Sequence, residues 1–402
     1  MLKQKEIVVI GGCGHVGLPL GIKLELAGGK VSLIDLNEKA VGMVNAGTLP
    51  FVEDGGETQL RDALAKGLKA TTDPAPCKTA DVCIFVTGTP VDEHLKPKLS
   101  ELNDVVAQYL PQIRKDALVI MRSTLFPGTM SYIAERIKST RPDLLLAFCP
   151  ERVAQGKALK EIESLPQIVS AFDEASFQAA YEIFRALAPS VIRLTPLEAE
   201  VTKVMANAWR YIEFAIANQF YVIADSNGVD FQRVYQALRY DYPRAAGYKA
   251  PGFAGGPCLF KDTMQLASFD EQQFHLGHTA MLVNEGLASF AVKKLSRMFD
   301  TSLKGVTVGI LGMTFKAGDD DTRNSLSFRV RKELDFGGAE VLCHDPFQSD
   351  GPSLEEVLEK ADAFILCTPH KEYRGLDITK PVVDVWGLLH QSEIEILPGR
   401  KG

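Results

Sequence analysis

The chain has no CxxC pair and no HExxH, and its seven cysteines stand scattered at 13, 77, 83, 149, 258, 343 and 367. An odd, unclustered set argues against a disulfide framework and for reduced thiols. His275 and His278 are close in sequence but have no other ligand types beside them, so they read as surface or packing residues and no metal is expected. No apolar run approaches the length of a membrane span, so no membrane partner is expected. The start, "MLKQKEIVVIGG", has a four-residue apolar run before its glycines. That is too short for a secretion signal, and the expected location is the cytoplasm. Positive charge is not in excess either. The formal net charge is −7, which argues against non-specific nucleic-acid binding. An anionic ligand has to be met by a few placed Lys or Arg residues and by helix N-termini. What remains is an ordinary globular composition, 46% hydrophobic and 24% charged over 402 residues, long enough for two or three domains.

Within that length the texture changes twice. "EIVVI" (6–10), "KVSLID" (30–35), "DVCIFVT" (81–87), "ALVIMRS" (117–123) and "LLLAFCP" (144–150) read as buried strands. Near-continuous β-branched and aliphatic runs fit parallel strands covered on both faces, with crossover helices between them. Residues 195–228 then carry neither Gly nor Pro between Leu197 and Asn227. Apolar residues recur there at helical spacing. Thr195, Pro196 and Glu198 form a capping box and Gly228 ends the run. A helix of about 40 Å is expected, serving as a spine or a dimer seam. The last hundred residues repeat the opening. "GVTVGILG" (305–312) resembles the first strand and turn, "VSLID" is echoed by "VLCHD" (341–345), and "ADVCIFVT" (80–87) by "ADAFILCT" (361–368). Three echoes in the same order argue for a second nucleotide-binding-type domain. The fold class is therefore α/β, with two Rossmann-like doubly wound domains joined by a long central helix and a helical dimerisation region. The expected boundaries are 1–195, 196–300 and 301–402.

Gly12, Gly14 and Gly17 form G-x-G-x-x-G directly after the first strand, and Asp35 closes the next one. In such a fingerprint the first glycine permits the tight turn, the second admits pyrophosphate and the third packs helix on strand. The helix N-terminus supplies N–H groups and partial positive charge. Asp35 would accept hydrogen bonds from the adenosine ribose and repel a 2′-phosphate, which favours NAD over NADP. The second domain's "GILGMTF" lacks the full pattern and is assigned no dinucleotide.

"PGFAGGPCLFKD" (251–262) places a lone Cys258 behind a run of glycines and prolines, with Lys261 and Asp262 following. Read alone, this is a buried thiol beside a loop, or a nucleophile at a helix start. Lys203 and Asn207 stand four apart on the long helix, either as surface residues or as a polar pair facing a site.

These motifs in this order resemble the UDP-glucose/GDP-mannose dehydrogenase family of nucleotide-sugar dehydrogenases. The resemblance covers nearly the whole chain and rests on "GCGHVGLPLG", "RSTLFPGT" (122–129), "CPERVAQG" (149–156), "KVMANAWR" (203–210), "GFAGGPCLFKD" (252–262) and "FKAGDDDTRNS" (315–325). It implies oxidation of a sugar C6 alcohol to a carboxylate with two NAD in succession, through an aldehyde and an enzyme thioester. A thiolate suits that chemistry because it adds to an aldehyde and leaves on hydrolysis. By this resemblance Cys258 is the nucleophile and Asp262, on the same helix face, orients the water or the lysine. Lys203 and Asn207 stabilise the C6 oxyanion, and Thr124 and Glu151 position or activate water. Glu151 has the alternative of a local ion pair with Arg152. On the cofactor side the carry-over gives Gly12, Gly14, His15, Val16, Gly17, Asp35, Thr87, Thr124, Lys261 and Arg323. On the substrate side it gives Glu151, Arg152, Val153, Lys203, Asn207, Arg244, Gly252, Phe253, Gly255, Phe315 and Lys316. Lys316 and Arg323 match residues that hold the diphosphate and sugar, their alternative being charge balance against "GDDD". Arg244 corresponds to an arginine reaching a neighbouring subunit's substrate.

Two motifs point to different branches. "PERVAQG" looks like enzymes of N-acetylated hexosamines, with Arg152 where the UDP-glucose branch has an aromatic residue. "GGPCLFKD" looks closer to the UDP-glucose branch, and Pro257 departs from the usual Ser or His. The expected substrate is a UDP-N-acetylhexosamine, with UDP-glucose the runner-up, and the expected assembly is a homodimer or higher oligomer. A two-electron hydroxyacid-type dehydrogenase would need neither Cys258 nor the C-terminal repeat. A catalytically silent binding protein would be expected to lose catalytic residues, and none of the main ones is missing.

Overall fold

A computed structural model describes residues 2, 5–88, 98–300, 302–389 and 392–397. The chain forms two compact units, Met1–Ala206 with Ser268–Glu271, and Asn207–Ala267 with Gln272–Gly402. The first holds an eight-stranded sheet. Its strands are β1 (Glu6–Ile10), β2 (Lys30–Ile34), β3 (Lys69–Thr71), β4 (Val82–Phe85), β5 (Leu118–Met121), β6 (Leu145–Phe148), β7 (Gln167–Ala171) and β8 (Val191–Leu194), in the order β3-β2-β1-β4-β5-β6-β7-β8. The β6–β7 pair is antiparallel and the other pairings are parallel. β4 and β5 are buried at every position, as strands covered on both faces must be. The five expected strands are present. β8 escaped the sequence reading because it is a half-wet edge, with Ile192 and Arg193 exposed, and an edge need not read as an apolar run.

The second unit holds β9 (Thr307–Leu311), β10 (Glu340–His344), β11 (Ala363–Leu366) and β12 (Val382–Asp384), all parallel, in the order β10-β9-β11-β12. The echoes are thus structural. β2-β1-β4 and β10-β9-β11 are the same trio in the same order. The repeated Ala-Asp has a local cause. Asp81 accepts from the Glu6 N–H and Asp362 from the Thr307 N–H, both at 2.9 Å, so each aspartate caps the first strand of its sheet.

The long helix runs from Pro196 to Ser226. Its capping box forms as read: Glu198 Oε2 accepts from the Thr195 N–H at 2.7 Å, and Thr195 Oγ1 accepts from the Glu198 N–H at 3.4 Å. Those Thr195 bonds hold the Glu198 carboxyl below its ordinary range. Gly228 takes φ +68° just beyond the last turn. Along the helix Leu197, Met205, Trp209, Ile216, Phe220 and Ile223 are exposed.

Candidate active site

In the first unit the site grows from the turn after β1. The residue with positive φ is Gly11, at +78°, where a Cβ would lie 2.6 Å from the Val86 carbonyl oxygen. This corrects the reading that Gly12 provides the tight turn. Gly12 is packed instead, with Leu33 Cβ 2.7 Å from the place its own would take. Gly17 has no room either, a Cβ meeting the Gly11 carbonyl at 2.3 Å, whereas at Gly14 the nearest atom is 3.9 Å away. The turn is therefore tight everywhere except where the pyrophosphate is expected to approach. The helix that follows, Gly17–Leu26, has Val16 at its N-cap with no side-chain cap bond. The Leu18 N–H donates to the Gly14 carbonyl at 3.0 Å and Pro19 has no N–H, so an anion there would be met by the glycine turn and the positive end of the helix dipole. The His15 ring lies tilted against Phe51, centroids 4.1 Å apart, and its Nε2 lies 3.2 Å from Gln155 Nε2.

Asp35 sits at the end of β2, half-buried, accepting from the N–H of Cys13 at 2.9 Å and of Asn37 at 3.0 Å. Both bonds leave acceptor capacity on the carboxylate for a ribose. Thr87, beyond the end of β4, has a buried hydroxyl with no hydrogen-bond partner among the described residues. A roomy glycine, an uncapped helix start, an accessible carboxylate and an orphaned hydroxyl together fit a dinucleotide.

Thr124 follows β5 and is half-buried. Glu151 is buried, and its ion pair is with Arg122 rather than with the Arg152 of the alternative reading. Parallel β5 and β6 are neighbours, so residues just beyond their ends meet. Glu151 Oε1 accepts from the main-chain N–H groups of Arg152 and Val153 at 2.7 and 3.1 Å. Arg122, fully buried, also donates to the Cys149 carbonyl and to Gln167 Oε1, both at 3.0 Å, and lies over the Phe184 ring. Removing one partner of such a buried pair costs about 3–5 kcal/mol. The Arg152 side chain turns to the Pro166 carbonyl. Lys203 is buried as well, not the solvated lysine of the bland reading.

The second unit gathers another set. Cys258 stands at the start of the helix Leu259–Phe269, its carbonyl accepting from the Asp262 N–H at 2.8 Å. It is exposed; the other six cysteines are buried or half-buried. Asp262, by contrast, is wholly buried: Oδ2 accepts from Asn207 Nδ2 at 2.6 Å, and Lys261 Nζ is 3.7 Å from Oδ1. Asn207 is therefore a buried partner, not a surface amide. The glycines ahead of Cys258 press on the other motif of this unit. A Cβ on Gly255 would lie 2.9 Å from the Asn324 carbonyl oxygen, and one on Gly256 (φ +101°) would lie 2.6 Å from the Phe315 ring. "GGPC" and "FKAGDDDTRNS" therefore meet, with Phe315 and Lys316 half-buried and Arg323 exposed. Arg323 is bound by both oxygens of Asp321, at 2.6 to 3.0 Å, so the charge-balance alternative describes its contacts. Gly252 and Phe253 are buried at the start of the loop. Arg244 stands apart, exposed, bonding Tyr242.

The sequence reading missed Arg122, and with it Asn218, Asn284, Asp345 and His370, all fully or nearly fully buried. Such residues show in a sequence only as polar letters inside or at the ends of apolar runs.

Comparison with known proteins agrees with this layout. Three models of the UDP-glucose/GDP-mannose dehydrogenase family match the chain: its NAD binding domain over residues 5–188, its central domain over 197–286 and its UDP binding domain over 309–391. A UDP-N-acetyl-D-mannosamine dehydrogenase of Methanocaldococcus jannaschii is 31% identical, covering 93% of this chain and 87% of its own. Among solved structures, a UDP-D-ManNAc dehydrogenase of Pyrococcus horikoshii matches with TM-score 0.86 at 29% identity, over 92% of this chain and 91% of that one. A UDP-glucose dehydrogenase of Pyrobaculum islandicum matches with TM-score 0.89 at 26% identity, over 96% and 95%. The chain belongs to the UDP-glucose/GDP-mannose dehydrogenase family and is an NAD-dependent nucleotide-sugar dehydrogenase.

Proposed function

We propose that the protein oxidises the C6 alcohol of a UDP-N-acetylhexosamine to the uronate, in two steps, through a thioester on Cys258. The observation that carries this is the exposed Cys258 at a helix start, in the unit that also holds Asn207, Asp262, Phe315, Lys316 and Arg323. NAD, when bound, accepts a hydride at each oxidation. The chain's own work lies between. The Cys258 thiolate adds to the aldehyde carbon, giving a hemithioacetal whose oxidation leaves a thioester. Water then adds to that carbonyl, the C–S bond breaks, and the thiol and carboxylate are released. Asn207 and Lys203 are assigned to the oxyanion at C6. Thr124 and Glu151 are assigned to the water, Glu151 having its carboxylate fixed by Arg122. Asp262 holds Asn207 in place. Lys316 and Arg323 are assigned to the nucleotide diphosphate, with Arg323 exchanging Asp321 for phosphate.

The choice of sugar rests on Arg152 and on relatives that are UDP-N-acetyl-D-mannosamine dehydrogenases. UDP-glucose is the second reading, supported by the Pyrobaculum islandicum structure. A panel of UDP- and GDP-sugars with NAD, counting NADH per sugar, separates the two. Two NADH per UDP-N-acetylhexosamine, with UDP-glucose far slower, is the expected result. Efficient turnover of UDP-glucose and none of the N-acetylated sugars reverses the choice. Cys258→Ala should abolish uronate formation while keeping NAD and UDP-sugar binding. A folded Cys258→Ala protein that makes uronate at near the parent rate overturns the thioester. The exposed apolar face of the helix Pro196–Ser226 is assigned to the core of a homodimer, with Arg244 reaching the partner's substrate. Sedimentation as a monomer at working concentration rules that out.

A further inference from the structure

We propose that Asn218 and Asn284 are positioning residues that set the cysteine loop. The proposal rests on the reading of Cys258 as the nucleophile. Asn218 lies on the helix Pro196–Ser226, fully buried, and makes two opposed bonds to one residue. Its Nδ2 donates to the Gly252 carbonyl at 3.0 Å, and its Oδ1 accepts from the Gly252 N–H at 2.7 Å. A side-chain amide thus pairs with the backbone as a neighbouring strand would. The same Nδ2 also donates to Asn284 Oδ1 at 2.9 Å, and Asn284 Nδ2 donates to the Tyr211 carbonyl at 2.9 Å. The network fixes the orientation of both amides, because each oxygen and nitrogen faces a group of the opposite kind.

No other side chain of this size fills the position. Leucine would leave the Gly252 N–H and C=O buried and unpaired. Aspartate would set an acceptor against the Gly252 and Asn284 oxygens. Gly252 is confined on its other side too. A Cβ there would lie 2.1 to 2.4 Å from atoms of the Trp386 ring. The loop is therefore held at residue 252, and from there Phe253 and Ala254 are buried and Gly255 and Gly256 pack on Asn324 and Phe315 before Cys258 opens its helix. The far end of the loop is tied by the Asn207–Asp262 bond. Asn207 and Asn218 are eleven residues apart, which is about three turns. One face of one helix therefore grips both ends of the segment that carries the nucleophile. Displacing a reacting group by about 1 Å costs roughly 100-fold in rate.

The test uses the full-length enzyme. Asn218→Leu and Asn284→Leu should lower kcat by roughly 30-fold or more while the KM for NAD stays within about twofold, because chemistry is disturbed and cofactor binding is not. Asn218→Ser keeps a donor and leaves room for water, and should retain more activity than leucine, at about a tenfold loss. Iodoacetamide labelling of Cys258 at fixed pH, followed by mass spectrometry, should change at least about threefold in Asn218→Leu. A folded Asn218→Leu protein with kcat within about threefold of the parent, or with unchanged Cys258 labelling, overturns the proposal. If Asn218→Leu does not fold, Asn218→Ser decides: parent-like turnover and labelling overturn it. The labelling readout does not depend on Cys258 being the nucleophile. An active Cys258→Ala enzyme sinks that reading and leaves the clamp to be judged on labelling.

Discussion

Asp35 and Asp345 close the same strand in two sheets of the same design, yet they are used in opposite ways. Asp35, at the end of β2, is half-buried and takes two main-chain N–H groups. Asp345, at the end of β10, is almost wholly buried and takes three, from Met313, Thr314 and Phe347 at 2.6 to 2.9 Å, together with His370 Nε2 at 3.1 Å. The threonines that end the repeated "AD" strands differ in the same way. The Thr87 hydroxyl is buried without a partner among the described residues, while the Thr368 hydroxyl donates to the Thr314 carbonyl. His370 further binds Thr314 Oγ1 at 3.0 Å and accepts from the Gly318 N–H at 3.2 Å. In the second unit, then, the counterparts of the groups assigned to a dinucleotide in the first are turned inward, and they stiffen the Met313–Gly318 turn that carries Phe315 and Lys316. Repetition of the fold did not repeat the site. Polar groups left with spare capacity mark where a ligand belongs, and groups already satisfied mark scaffold.

The sharpest way to break this comparison is to remove both acids. Asp345→Ala would leave three buried N–H groups and His370 without their acceptor, a loss of about 3 kcal/mol or more. The melting midpoint of the second unit should fall by roughly 6 °C or more. Burial pushes the Asp345 carboxyl up, but the His370 bond and the Thr314 and Phe347 amides outweigh it and hold it at about 2. A depressed carboxylate contributes stability that is present above its unfolded value of about 3.9 and is lost as pH falls toward the folded one. The gap in melting midpoint between the parent and Asp345→Asn should therefore close between about pH 4 and pH 2. A gap that is the same at pH 6 and near pH 2 would mean that Asp345 does not carry this load.

Asp35→Ala should move stability much less, by about 1 kcal/mol or below, since water replaces its two bonds at a half-exposed position. Its effect belongs to the ligand. The parent should prefer NAD to NADP, and Asp35→Ala or Asp35→Ser should lower the ratio of kcat/KM values by roughly tenfold or more. Comparable turnover of NADP by the parent enzyme would remove Asp35 from the ribose pocket and leave the two acids alike.

The comparison also explains what could be read from the letters. The strands β1, β2, β4, β5 and β6 and their echoes were legible because buried parallel strands must be apolar throughout. The long helix was legible from its capping box and its freedom from Gly and Pro. The glycine turn was legible as a motif but shifted by one residue, because pattern alone does not say which of Gly11 and Gly12 takes the positive φ. Cys258 could be placed at a helix start, and Asp262 and Asn207 near it, but not the burial that bonds those two together. Partners joined across the fold were beyond reach. Glu151 had an arginine beside it in sequence and pairs with Arg122, just beyond the end of β5. Asn218 lay inside an apolar helix with nothing local to show that it would meet Gly252, 34 residues on.

The smallest expected effect is the finest test, and it uses the two threonines. Valine has the shape of threonine and lacks the hydroxyl. Thr368→Val leaves the Thr314 carbonyl short of a donor in a buried place, which costs about 1–2 kcal/mol. Thr87→Val removes a buried hydroxyl that has no partner among the described residues, so stability should hold or rise by up to about 1 kcal/mol. With saturating NAD the order should reverse. NAD raises the melting midpoint in proportion to its affinity for the folded state. That rise should shrink in Thr87→Val, whose hydroxyl is assigned to the cofactor, and be unchanged in Thr368→Val. Melting curves of the three proteins with and without NAD supply both readings. Equal destabilisation by the two valines, with equal protection by NAD, would show that Thr87 is as fully used as Thr368 and that the two turns are built alike.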